Sequence, residues 1–581
     1  MSACITAVLC VLSMYSCSAL SEDKADDGEK SFVSPEGAGK ETSETTFVSS
    51  EDSITVTGET SFVFSEDSIK VTQGDYDGYD IDGSSLTING SGTYIVSGKC
   101  DDGSIKIKKG TSDVTLIFNG LSLNSSDTAP LTIGKSSDVS IVVSSGSVNA
   151  LSDTEKNNDE NYPENANAEN AVIKCKDGSK VPFSGDGTLD ITANAKNGIK
   201  SGATTVNEGE ASLTIKEVTL NITTTVNDAI NAEQLLSLES GNITICAADD
   251  GIHCDYVMNI GKTGTSGPSI TVKDSYEGLE AATLNIYSGK INIHSEDDCI
   301  NAANSDLSDY DFSISISGGE LCMDSENGDG IDSNGDLSIS GGNVAVWIAN
   351  SFDNGPLDAD GTLSLTGGVV LAAGGSAGMG IKLEAEQPYV IFGSTGSFEG
   401  FKNFGKPEDF PAGGSAPESE NNPDASFGIG ASDNVPNPPV NAPSQINEQY
   451  NGNQAASRNS MPDGIGQTVN ISEGSAFSIK DESGNTVYSG TVAYTAKYIF
   501  FSSPELESEK SYTLYSETES VATSSAGTDS MSGGFAGGRP DMKYDDPQNG
   551  SEKVRPAFPS GKNNFGDVML PENGGSVSPD N

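Results

Sequence analysis

The chain has 581 residues and a formal net charge of −54, from 85 acidic residues against 31 basic ones. A surface this acidic repels phosphate, which excludes a general nucleic-acid binder. With 67 glycines and only 7% aromatic residues, composition alone fits disorder as well as folding, so the pattern of the apolar residues has to decide.

The N-terminal residues carry an apolar run from Ile5 to Leu12, followed by small residues around Ser16-Cys17-Ser18-Ala19. The run is too short to span a bilayer and has the form of a secretory h-region with a cleavage site. Residues 1–20 are therefore expected to be a signal peptide and the protein to be secreted or held at the cell surface. No Lys or Arg precedes the run. Cys17 is a candidate first residue of a lipoprotein, and a lipid there is the one expected route to a membrane. Residues 21–75 are rich in Ser, Thr, Glu, Asp and Gly and repeat a Ser-Glu-Asp-Ser-Ile element at a 15-residue offset. They read as an acidic, low-complexity spacer.

Strand-like alternation sets in near Tyr79 and defines a domain expected over 76–382. It includes Leu86-Thr-Ile88, Tyr94-Ile-Val96, Ile105-Lys-Ile107 and Leu116-Ile-Phe118. A polar insertion, Ser152 to Asn170, is expected to loop out. Between about Leu213 and Leu357 the units become regular. One reads Leu236-Ser-Leu238, Gly241, Ile243-Thr-Ile245, Asp250-Gly-Ile252, and another Leu284-Asn-Ile286, Gly289, Ile291-Asn-Ile293, Asp298-Cys-Ile300. A third is Ile314-Ser-Ile316, Gly319, Leu321-Cys-Met323, Asp329-Gly-Ile331. Period-2 alternation predicts strands, the glycines predict tight turns, and a unit of roughly two dozen residues predicts a solenoid of roughly ten stacked turns.

Stacking would bring Asp228, Asp250, Glu277, Asp298 and Asp329 into line, with Asn197 and Asn354 at the equivalent outer turns. Like charges one strand spacing apart, about 4.8 Å, repel by about 3 kcal/mol at an effective dielectric near 20. Such a ladder calls for cations. Calcium takes oxygen ligands, and neighbouring turns are expected to supply them from Asp228, Asp249, Asp250, Glu277, Asp297, Asp298, Asp329 and Asp332. The competing reading is that Asp-Gly steps are simply favoured, solvated turns.

His253 and His294, the two histidines, fall at different points of their units, so a surface or structural role is expected for each. Cys100, Cys175, Cys246, Cys254, Cys299 and Cys322 contain no C-x-x-C pair, which argues against zinc. Cys246 and Cys322 lie within strands as small packed residues, with a disulfide between turns as the alternative.

Residues 383–460, dominated by Pro, Asn, Gly and Ser, are expected to be a linker or long loop. A short β segment follows over 461–517, with Phe477-Ser-Ile479, Tyr498-Ile-Phe-Phe501 and Tyr512-Thr-Leu514. The Gly/Pro-rich tail, 518–581, is expected to be disordered.

Several of these elements occur together in one known family. Leu86-Thr-Ile-Asn-Gly-Ser-Gly-Thr-Tyr-Ile-Val-Ser-Gly98, Asp101-Asp-Gly103 and Leu116-Ile-Phe-Asn-Gly120 are followed by the Asp250-Gly-Ile252 and Asp329-Gly-Ile331 repeats. Phe501-Ser-Ser-Pro-Glu-Leu506 and Tyr512-Thr-Leu-Tyr515 come last. In this order they resemble the bacterial secreted carbohydrate-binding β-helix family over roughly residues 80–516, the 152–170 and 383–460 segments departing from its compact pattern. The resemblance implies an all-β, right-handed parallel β-helix with a short C-terminal β segment. It also implies binding of calcium and of acidic plant polysaccharide, notably polygalacturonate, with no established catalysis.

Physical reasoning agrees with the calcium part, because an acidic face meets an acidic polymer only through divalent bridges. Two rivals stand beside this reading: a pectin-cleaving lyase or hydrolase, and a structural adhesin. Asp249-Asp250 with Asp297-Asp298 could imitate an acid–base pair. However, no Gly-His-Gly or Arg-Ile-Lys element accompanies them, and Arg458, Arg539 and Arg555 all lie outside the repeats. Lys200, Lys216, Lys273 and Lys290 are the lysines available as a base.

Overall fold

Alternation of β-branched and polar residues gives each repeat unit three short strands whose apolar side chains point one way. A computed structural model describes residues 59–74, 77–349, 354–375, 382–393, 467–528 and 530–532, and these contain β-strands and no α-helix. The expected signal peptide with Cys17, most of the 383–460 segment, and the tail beyond residue 532 lie outside the described residues.

Most strands join one long mixed sheet in which consecutive strands seldom pair with each other. Instead, equivalent strands of successive units pair in parallel and form three ladders. The first runs from Ser85–Ile88 to Ile331–Ser333, with Ile199, Ile230, Ile252, Leu279, Ile300 and Ile331 in register. The second stacks Leu213, Leu236, Met258, Leu284, Ile314, Leu337 and Leu363. The third stacks Leu220, Ile243, Ile270, Ile291, Leu321, Val344 and Val370. All three apolar rows are buried and share one interior. Full burial of a Leu or Ile contributes about 1.5–3 kcal/mol, so the stack itself is the main source of cohesion.

Glycine turns link the second ladder to the third. Gly241 has φ of 100°, and a Cβ there would come within 2.4 Å of the Val218 carbonyl oxygen. The turn therefore needs Gly both for its left-handed backbone and for the close approach of the neighbouring turn.

The ends of the domain differ from expectation. Glu59–Ser65 and Ser68–Gln73, expected within the 21–75 spacer, form an antiparallel hairpin, and the first strand also pairs in parallel with Gly92–Cys100. Phe62 and Phe64 are buried and cover that end of the core, so two aromatic residues at alternate positions suffice to recruit a polar segment. At the other end, the strand Lys382–Ala385 crosses the expected boundary at 382, and Tyr389–Gly393 is a strand within the segment expected to be a linker. The expected β segment extends to Ser525, past the boundary at 517, and Met531–Ser532 pairs with Lys382–Leu383. Ala476–Lys480, Thr486–Thr491, Ser511–Ser516 and Glu519–Ser525 form a four-stranded antiparallel sheet. Its core takes in Trp347, Leu371, Phe392, Ile499 and Phe501. Tyr498–Ser502 runs antiparallel to both Leu363–Gly374 and Tyr389–Gly393, which occupies an otherwise open sheet edge.

Of the insertion expected over 152–170, Ser152 and Asp153 end the strand Val148–Asp153, and residues 154–170 are turns and irregular backbone tied down by buried Asn157, which donates to Asp153 and to the Ala171 carbonyl. Cys100, Cys175, Cys254 and Cys299 are buried free thiols, whereas Cys246 and Cys322 point outward from the third ladder and are each disulfide-bonded.

Candidate functional site

From Ile230 onward, each strand of the first ladder is entered through a turn that carries an acidic residue two positions before the first buried Ile or Leu. The backbone locks these turns in register. The amide of Ala229 donates to the Asp250 carbonyl, Gly251 to Glu277, Gly278 to Asp298, and Cys299 to Asp329. Asp228, Asp250, Glu277, Asp298 and Asp329 thus form one row along an acidic corner. Asn197 precedes the row in register, since Gly198 donates to the Asp228 carbonyl. Asn354 is displaced by one residue: Gly330 donates to Gly355, which takes the equivalent place.

Side chains follow the same direction. Asp228 Oδ1 accepts the Asp250 amide at 3.3 Å, Asp298 Oδ1 accepts the Asp329 amide at 2.7 Å, and Asp329 Oδ1 accepts the Gly355 amide at 2.5 Å. Each of these carboxylates is pulled towards the next turn, and hence towards the next carboxylate. Two clusters result, Asp228 with Asp249 and Asp250, and Asp298 with Asp329 and Asp332, each with oxygen atoms within 4.8 Å of one another.

Glu277 lies between the clusters and receives both Asn301 Nδ2 hydrogen bonds, at 3.2 and 3.1 Å. Its turn separates Asp249-Asp250 from Asp297-Asp298, which are therefore not on adjacent turns. Asp297 joins neither cluster and is engaged by the Tyr276 hydroxyl.

Burial and mutual repulsion make this corner costly. Asp228 is 4% exposed, and Asp250 and Asp298 are each 9% exposed. Burial, then the neighbouring Asp250 charge, pushes the Asp228 carboxyl up to about 6. Burial pushes Asp298 up to about 7 and Asp329 up to about 8, with facing carboxylates adding to both. Glu277 is pushed up to about 9 by burial and by Glu280, Asp250 and Asp298. Asp249 is raised by burial and by Asp250. Carboxyls held this far above their ordinary range mark a place where positive charge would be strongly stabilised.

His253, for which a surface or structural role is expected, sits inside this arrangement. Its Nδ1 lies 2.5 Å from Glu280 and 3.4 Å from Asp250, and its Nε2 lies 3.1 Å from Asp255. Burial would lower its affinity for a proton, but the hydrogen bonds it donates to these three carboxylates outweigh burial and hold the imidazolium well above its ordinary range. His253 and Glu280 form a further candidate cluster with Asp250. Their signal was present in the sequence: Asn231, His253, Glu280, Asn301 and Asp332 each follow a row acid by three residues. His294 lies apart, with Nδ1 2.7 Å from buried Asp324, which also accepts the Tyr494 hydroxyl at 2.9 Å.

The family model described as "Carbohydrate-binding domain-containing protein" matches residues 82–378. This chain belongs to that family. Its carbohydrate-binding domain therefore includes the whole acidic corner and all three ladders where they are most regular. A carbohydrate-binding domain-containing protein of Acetivibrio thermocellus is 30% identical over 124 residues, which are 21% of this chain and 42% of the relative. The chain thus spans less than half the length of the relative it matches. Among solved structures, the gadolinium derivative of the polysaccharide lyase-like protein from C. thermocellum is 23% identical. It covers 52% of this chain and 96% of its own, at a TM-score of 0.31.

Proposed function

We propose that the carbohydrate-binding domain is a right-handed parallel β-helix that holds acidic polysaccharide of the polygalacturonate type through calcium at the acidic corner, without cleaving it. The observation that carries this reading is the pair of three-carboxylate clusters in one register-locked row. Both clusters offer oxygen ligands alone, the donor set calcium prefers. Asp228, Asp249 and Asp250 would hold one ion, and Asp298, Asp329 and Asp332 another. A bound ion would supply positive charge shared between these carboxylates and those of a uronate polymer. The chain's own part is positioning: Asn231 Nδ2 fixes Asp228 Oδ2 at 2.6 Å, and the backbone amides of Asp329 and Gly355 aim Asp298 and Asp329.

In this reading the protein works outside the cell, delivered by the N-terminal apolar run and anchored by lipid at Cys17 or released. The test is retention of the full chain on immobilised polygalacturonate, first with calcium and then with chelator. Retention that chelator abolishes is expected. Retention that persists in chelator would refute the bridge, and new unsaturated or reducing sugar ends would replace the binding role with a lyase or hydrolase.

A further inference from the structure

A second outward strip runs beside the acidic corner, along the exposed side of the first ladder, and its charge changes sign along the molecule, from lysines at one end to Glu280 and Asp332 beyond His253. In register it reads Lys106, Thr132, Lys174, Lys200, Asn231 and His253. Lys174 and Lys200 are direct partners on neighbouring strands, so two ammonium-bearing side chains leave the backbone about 4.8 Å apart.

Neighbouring lysines in these turns are neutralised locally. Lys176 lies 2.7 Å from Glu169, Lys135 lies 2.6 Å from Asp177, and Lys200 lies 3.3 Å from Glu233. Lys174 differs: it is half-buried and its ammonium has no hydrogen bond or ion pair among the described residues. Burial, then the Lys200 charge, lowers its affinity for the proton, while Glu233 and Glu169 act more weakly the other way. An ammonium partly removed from water, beside a second ammonium and without an acceptor, is an incomplete anion site.

The strip is continuous with the first carboxylate cluster. Lys200 Nζ donates to Asn231 Oδ1 at 3.1 Å, and Asn231 Nδ2 donates to Asp228 Oδ2 at 2.6 Å. A polymer held at Asp228 would need to extend only about two strand spacings, about 10 Å, to reach Lys174. We propose that Lys174, with Lys200 beside it, is a subsite that takes a carboxylate of the polysaccharide directly, with no bridging ion. This rests on the reading of the ligand as a uronate polymer and adds a second mode of contact: cation-bridged at the acidic turns, direct at the lysine pair. A neutral glycan would gain nothing from the pair.

The test uses the full chain with Lys174→Gln and Lys174→Arg. In saturating calcium, Lys174→Gln is expected to weaken binding of an oligogalacturonate about tenfold, as loss of one charge-assisted hydrogen bond predicts, whereas Lys174→Arg retains most of it. Calcium affinity measured by calorimetry should be unchanged in both. Equal oligogalacturonate affinity for wild type and Lys174→Gln would overturn the subsite. Acylation of Lys174 by an amine reagent, mapped by peptide mass spectrometry in chelator, provides an independent readout. Protection by monomeric galacturonate is expected, and an unprotected Lys174 would overturn the subsite even if calcium-dependent retention stands. Protection of Lys174 in a protein that calcium does not attach to polygalacturonate would leave the subsite standing and refute the ion bridge.

Discussion

Ile252, Leu279, Ile300 and Ile331 stack inside the first ladder, while Asp250, Glu277, Asp298 and Asp329, two residues earlier in each turn, stack outside it. One backbone register places both rows, yet their energetics are opposite. The inner row gains by contact whatever the solution contains, because burial of apolar area has no charge dependence. In the outer row each added turn brings another carboxylate up against the last, and the cost is met by protonation or by His253, and under the proposed function by a cation. A periodic fold thus multiplies a favourable contact and an unfavourable one with equal fidelity.

Substitutions on the two rows should separate these behaviours. Ile300→Ala, at a fully buried position, is expected to lose about 2–5 kcal/mol in denaturant unfolding, equally in calcium and in chelator. A calcium-dependent loss would mean that the rows are not energetically independent. His253→Ala removes the imidazolium from between Asp250 and Glu280. A fully buried pair loses about 3–5 kcal/mol when one partner is deleted; with His253 21% exposed, about 2–3 kcal/mol is expected in chelator. Calcium should restore part of that loss, and an equal loss in both conditions would assign His253 to packing alone.

The smallest effect is the most diagnostic. Asp329→Asn keeps an oxygen for the Gly355 amide but deletes a charge, and is expected to stabilise the chelated protein by about 1 kcal/mol above pH 8 while weakening its response to calcium. Destabilisation in chelator would show that the charge is already compensated.

The pH dependence has a definite sign. Asp228, Asp298, Asp329 and Glu277 have folded-state values of about 6, 7, 8 and 9, raised above 3.8 for Asp and 4.5 for Glu. Between about pH 4 and pH 9 the folded chain therefore holds more protons than the unfolded one. Stability in chelator should fall as pH rises through that window. Saturating calcium should flatten this slope in thermal melts, and a slope unaffected by calcium would place the ions elsewhere.

Much of this was legible in the sequence because strand periodicity and the apolar-x-apolar units report the inner rows directly. The alignment of Asp228, Asp250, Glu277, Asp298 and Asp329 could also be read, since the irregular stretches Gly261–Pro268 and Ala303–Phe312 sit at other corners of their turns and leave the acidic corner undisturbed. Pairwise relations were harder to see. Asp249-Asp250 and Asp297-Asp298 look like neighbours until the turn of Glu277 is counted between them. Lys174 and Lys200 are 26 residues apart, with nothing local to signal that they meet. The hairpin at 59–73 was hidden because two phenylalanines in a polar stretch resemble a spacer until the open end of a core needs covering.

The spacing of the two carboxylate clusters is set by the hydrogen-bonded register of the backbone. Asp250 and Asp298 stand two turns apart, about 10 Å. If both clusters bind as proposed, the corner acts as a gauge of polymer length. A fragment too short to bridge that gap engages one point of attachment, and one long enough engages two, with the second contact made at the high effective concentration the first provides. Affinity would then climb in a step with chain length, so that the protein distinguishes intact polymer from its breakdown products without recognising any different sugar.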